Sequence, residues 1–176
     1  MKKLLKNIPN FLTICRIILT PFIIYLSVIN DIKLAIVFIF IAEITDLLDG
    51  LIARKFNLVS KFGARLDTIA DKLFAGCLII SLMIKNKLFI ISLIGEIIIT
   101  IINVCSFAKK QDPTTKYIGK VKTTILFVTI YLGFISQLHI DLIFYVNIFI
   151  IISSIFHILS IISYINRALT FEKVAN

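Results

Sequence analysis

The chain has 176 residues, 59% of them hydrophobic and only 16% charged. Water-soluble domains carry closer to a quarter charged residues, so the composition excludes an ordinary soluble fold and indicates one membrane domain spanning 1–176. The net charge of +9 then belongs to basic loops beside anionic lipid, and nucleic acid is not expected as a partner.

Lys2, Lys3 and Lys6 precede the first apolar stretch, which is long enough to span and lacks a small-residue cleavage site; it reads as a retained first helix. A hydrocarbon core of about 30 Å needs roughly 20 residues of helix. On that measure the sequence predicts an all-α bundle of six transmembrane helices, near 10–29, 32–54, 63–84, 88–108, 119–137 and 141–166. Pro21 falls inside the first and is expected to kink it. Cys15, Cys77 and Cys105 are scattered through apolar segments without ligand spacing, and read as packing residues.

Basic residues set the orientation. Lys2, Lys3, Lys6 and Arg16, then Arg54, Lys55, Lys61 and Arg65, then Lys109, Lys110, Lys116, Lys120 and Lys122, then Arg167 and Lys173 fall on one side. The other side holds only Lys33, Lys85 and Lys87. Both termini are therefore expected in the cytoplasm, in a multi-pass protein of the cell membrane.

Five of the ten acidic residues, Glu43, Asp46, Asp49, Asp67 and Asp71, lie between positions 43 and 71. Carboxylates in membrane helices are costly, and clustering them is worse unless cations lie between them. Asp46 and Asp49 are i, i+3 on the second predicted helix, with Gly50 and Ala53 continuing that face. Gly63, Asp67 and Asp71 form an i, i+4, i+8 stripe on the third. A short hairpin brings the stripes together at the cytoplasmic end, beside Arg54, a donor suited to phosphate. With oxygen ligands alone, the stretch suits hard cations such as Mg²⁺ or Mn²⁺, and two of them balance four carboxylates. This reads as a two-metal site for a diphosphate. The rival reading of the same carboxylates is a cation or proton carrier.

The stretch Asp46-x2-Asp49-Gly50-x2-Ala53-Arg54-x8-Gly63-x3-Asp67-x3-Asp71 resembles the complete signature of the CDP-alcohol phosphatidyltransferases. The resemblance implies six helices over nearly the whole chain and transfer of a phosphatidyl group from CDP-diacylglycerol to an alcohol, with release of CMP. It implies two divalent metals held by Asp46, Asp49 and Asp67, with Asp71 also at the metal site and acting as general base. It places the CDP moiety against Gly50, Ala53 and Gly63, with Arg54 by the nucleotide and diphosphate. Family members are often homodimers, and Ala75, Gly76 and Gly95 are small enough for helix association.

Two further stretches bear on the acceptor. "NIPNFLTICRIILTPF" resembles, at Pro9, Asn10, Leu12, Thr13, Arg16 and Pro21, the N-terminal pattern of phosphatidylglycerophosphate synthases and CMP-forming cardiolipin synthases. "IGKVKT" resembles a segment of glycerophosphate-using members, in which Lys120 and Lys122 would meet an acceptor phosphate. Glycerol 3-phosphate is the expected acceptor, with phosphatidylglycerol or an unphosphorylated alcohol as alternatives. One departure stands out: bacterial glycerophosphate users carry Arg-Glu-Phe on the fourth helix and a second Arg further along, whereas here Gly95 precedes Glu96 and Asn103 falls near the second position. Glu96 is expected either to partner a basic residue or to lie along a polar seam. His139 and His157 have no acidic or nucleophilic companion in the sequence and are expected to be structural.

Overall fold

The computed structural model describes residues 8–55, 61–108 and 117–175, and the side chains among them at 11–48, 51, 55, 63, 66–105 and 117–166. Every regular element among these residues is helical. In chain order they are α1 (Ile8–Val28), α2 (Ile32–Lys55), α3 (Lys61–Met83), α4 (Phe89–Ala108), α5 (Ile118–Ile135), a 3₁₀ turn (Ile140–Leu142) and α6 (Ile143–Ala175). These ends fall within two residues of the expected spans, except that α6 continues well beyond 166. The chain divides into two compact units, Met1–Ser81 and Leu82–Asn176.

In the first unit, α1 and α2 form a tight hairpin. Asn30 turns the corner with a positive φ of 61°, a conformation that asparagine tolerates better than most residues. The next residue starts α2: the Asp31 carboxylate accepts from the Leu34 N–H at 3.3 Å, satisfying a free donor of the first turn. Pro21 lies within α1, and beside it the Thr20 hydroxyl donates to the Arg16 carbonyl at 2.8 Å. Ile23, Leu26, Ile32, Ala35, Ile39 and Ala42 are buried. Phe22 and Phe38 meet edge to face across the hairpin at 4.9 Å. The Ser81 hydroxyl donates to Ser27 Oγ at 2.7 Å and ties α3 to α1.

In the second unit, α6 packs against both α4 and α5. Asn86 supports the start of α4, accepting from the Leu88 N–H at 3.1 Å while donating to Asn147 of α6 at 2.9 Å. Gly133 lets α5 come close: a Cβ there would stand 2.7 Å from Phe89 and 2.9 Å from Leu82. Phe89, Leu126, Ile130, Phe134, Val146 and Ile150 are buried.

Polarity is inverted relative to a soluble domain. Ile18, Phe40, Val104 and Phe144 are more than half exposed, whereas Arg16, Ser92, Lys122, Thr129, Ser153, His157 and Ser160 are buried. Hydrocarbon solvent produces this pattern, since it costs nothing to show it isoleucine and a great deal to show it a hydroxyl. Three stretches are long and apolar enough to cross a membrane, Phe11–Val28, Ile118–Ile135 and Ile140–Asn166, and Phe89–Cys105 is a shorter apolar helix. Of the small residues considered for self-association, Ala75 is buried, and a Cβ at Gly76 would meet nothing within 4 Å.

Candidate metal and substrate site

Helical periodicity places Asp67 and Asp71 one turn apart on α3, and Asp46 reaches them from α2. One carboxylate oxygen from each of the three lies within 4.8 Å of those of the other two. Asp49 lies one turn beyond Asp46 on α2, but its side chain, like those of Gly50, Ala53 and Arg54, lies outside the described residues. Gly63 opens the first turn of α3 and is partly exposed.

Beneath the carboxylates sits Arg16, which in the sequence stands out only as one of the basic charges and as part of the N-terminal pattern. Arg16 comes from α1 with its side chain 1% exposed, whereas the carboxylates of Asp46, Asp67 and Asp71 are 40–45% exposed. Its Nη2 is 2.5 Å from Asp46 Oδ1. Its Nη1 is 3.5 Å from Asp67 Oδ1 and also donates to Asp71 Oδ1. The guanidinium is a fork, and here its tines serve carboxylates on two different helices. A sequence signal for it existed: a lone arginine within the apolar stretch Phe11–Val28 must find a partner.

Three carboxylates against one guanidinium leave a formal charge of −2 among the described groups (−3 + 1). Half-exposed oxygen donors carrying that residual charge suit a divalent hard cation, with no sulfur or imidazole in the set. The residues present therefore fit the metal that the signature implies.

The two lysines expected at the acceptor part company. Lys120 is exposed near the start of α5, but Lys122 is buried and donates to Glu96 Oε1 on α4. The same Glu96 oxygen is 3.1 Å from His157 Nε2 on α6. His157 Nδ1 is 2.7 Å from the Ser153 carbonyl. Of the alternatives for Glu96, partnering a basic residue is the one observed. His157, expected to be only structural, is its second partner.

Helices throughout the described residues, an apolar exterior and a carboxylate cluster that could hold a metal ion define a class of helical membrane proteins. The comparisons narrow that class. The chain matches the CDP-alcohol phosphatidyltransferase family over residues 6–165 and belongs to it. It is 50% identical to a Rickettsia typhi protein named CDP-diacylglycerol--glycerol-3-phosphate 3-phosphatidyltransferase, over 86 residues covering 47% of this chain and 48% of that one. A Haemophilus influenzae protein of the same name is 35% identical over 67% of this chain and 70% of its own. A Drosophila melanogaster protein named probable cardiolipin synthase (CMP-forming) is 51% identical over 47% of this chain and 26% of its own. The chain spans about half the length of the Rickettsia relatives it matches.

Proposed function

We propose that the protein is a single-domain membrane enzyme that transfers the phosphatidyl group of CDP-diacylglycerol to glycerol 3-phosphate, yielding phosphatidylglycerophosphate and CMP. The observation that carries this reading is the convergence of Asp46, Asp67 and Asp71 within 4.8 Å, on the residues of the family signature. The names of the Rickettsia and Haemophilus relatives support glycerol 3-phosphate as the acceptor.

In this reading the acceptor hydroxyl attacks the phosphorus of the phosphatidyl group. The bond from that phosphorus to the CMP oxygen breaks, and CMP leaves with the electron pair. The Asp71 carboxylate takes the hydroxyl proton. Asp46, Asp49, Asp67 and Asp71 would hold two divalent cations, Mg²⁺ or Mn²⁺, which when bound neutralise charge on the diphosphate as it shifts toward CMP. Arg16, from α1, holds the carboxylates of α2 and α3 together from below. Gly50, Ala53 and Gly63 leave room for the nucleotide, Arg54 pairs with the diphosphate, and Lys120 and Lys122 serve the acceptor side. The basic residues of the loops put both termini and the site on the cytoplasmic side of six spans.

Purified full-length protein with CDP-diacylglycerol and Mg²⁺ is expected to release CMP when glycerol 3-phosphate is added. Release with phosphatidylglycerol instead would favour the second reading, cardiolipin formation, which the name of the Drosophila relative supports. Absence of CMP with every acceptor would overturn both.

A further inference from the structure

One guanidinium engages an oxygen of each of the three carboxylates described at the site. Arg16 Nη2 is 2.5 Å from Asp46 Oδ1, while Nη1 lies 3.5 Å from Asp67 Oδ1 and donates to Asp71 Oδ1. A carboxylate can bind a metal through one oxygen or through both. A dication on an oxygen already held by Arg16 would stand beside the guanidinium charge, which repels it. Each of the three aspartates therefore has at most one other oxygen to offer an ion.

The arginine has little freedom to step aside. Thr13, Arg16, Thr20, Ile23 and Ser27 are all buried and follow one another at helical spacing along one face of α1. That helix is fixed to both of its neighbours. Phe22 meets Phe38 of α2, and Ser27 accepts from Ser81 of α3. Withdrawing the guanidinium from the carboxylates would push a charge into the packed interior of the unit, which is costly. The carboxylates, in contrast, are half exposed. An ion therefore reaches them from the open side, with the arginine held behind.

Hard cations differ in how they tolerate such a limit. Mg²⁺ takes six ligands at about 2.1 Å, keeps several waters and is content with one or two carboxylates. Ca²⁺ takes about six to eight oxygens and often binds a carboxylate through both of its own. A site restricted to one oxygen per aspartate satisfies the first ion and denies the second its ligand count.

We infer that Arg16 is a specificity-determining positioning residue: by holding one oxygen of each aspartate, it disfavours Ca²⁺ at a site that accepts Mg²⁺ and Mn²⁺. The inference rests on the metal site of the proposed transferase reading. It adds the residue that selects the ion, on a helix that carries none of the aspartates.

The test measures ion binding without substrate, on the full chain in lipid–detergent micelles. The electron paramagnetic resonance signal of free Mn²⁺ reports how much Mn²⁺ is bound, and Mg²⁺ or Ca²⁺ is titrated in to displace it. In wild type, Mg²⁺ is expected to displace Mn²⁺ at a lower concentration than Ca²⁺ does. Arg16→Gln leaves the held oxygens to the ion, and the Ca²⁺ concentration needed relative to Mg²⁺ is expected to fall about ten-fold. Arg16→Lys keeps the positive charge but replaces the fork by one ammonium, and the ratio is expected to fall there too. Should Arg16→Gln fail to fold, Arg16→Lys takes its place. A role in packing alone would weaken binding of all three ions alike and leave the ratio where it was. An unchanged ratio in a folded variant would therefore overturn the inference, as would wild type that binds no Mn²⁺. Wild type that releases CMP yet shows no preference for Mg²⁺ over Ca²⁺ would also overturn it, leaving the transferase reading standing. A preference that is lost in the variants of a protein releasing no CMP with any acceptor would do the reverse.

Discussion

At the residue scale, the pairing of Arg16 with Asp46, Asp67 and Asp71 governs the energetics of the site. Neutralising one carboxylate changes what that side can hold without altering the packing beneath it. Asp46→Asn and Asp71→Asn are each expected to reduce CMP release by about 10²–10⁴-fold with little effect on yield or melting temperature. Specific activity and a melting curve on the same preparation check both halves of that statement. Arg16→Gln should act in the opposite sense. It leaves three carboxylates facing one another, and because their oxygens are only half buried the cost is set near 2 kcal/mol rather than the larger value of a fully buried pair. Melting in chelator should therefore fall, and the gain in melting temperature on adding Mn²⁺ should exceed that of the wild type. An Arg16→Gln protein as stable as the wild type in chelator would contradict the pairing.

At the scale of elements, close helix contact in the second unit depends on glycine. Gly133→Ala would put a methyl 2.7 Å from the Phe89 ring and 2.9 Å from Leu82, and one of them must move. Overpacking of this kind costs about 1–3 kcal/mol, so the variant is expected to melt lower than wild type; Phe89→Leu, by shortening the opposing side chain, should recover part of the loss. The helices themselves were legible in the sequence, because uninterrupted apolar runs and their polar punctuation set where each helix starts and stops. The aspartate stripes were legible too, since periodicity alone puts Asp67 and Asp71 on one face. What periodicity does not encode is which helix lies alongside. Arg16 meets Asp71 across 55 positions of sequence, and His157 meets Glu96 across 61. No local pattern announces either contact. For the same reason the sequence does not show that Lys122 is buried against Glu96, or that the His157 ring fills the space beside Gly95.

For the whole molecule, the inverted polarity and the one-sided distribution of lysine and arginine lead to a topological prediction. Single cysteines placed at Lys33 and Lys85 in a background lacking Cys15, Cys77 and Cys105 should react with a membrane-impermeant maleimide added outside intact cells. Cysteines placed near either terminus should react only after the cells are opened. Labelling of a terminus from outside would reverse or break the proposed arrangement of six spans.

The burial of Arg16 also sets a timetable for biogenesis. Its guanidinium sits in α1, which leaves the ribosome before α2 and α3, the helices whose carboxylates receive it. At about 5–20 residues per second, the 55 positions separating Arg16 from Asp71 take about 3–11 s to synthesise. During that interval the first helix carries a charge into the insertion machinery before its counter-ions exist. Lateral release of α1 into lipid is therefore expected to wait for α3, so that the helices of the first unit enter the bilayer as a cohort rather than one by one.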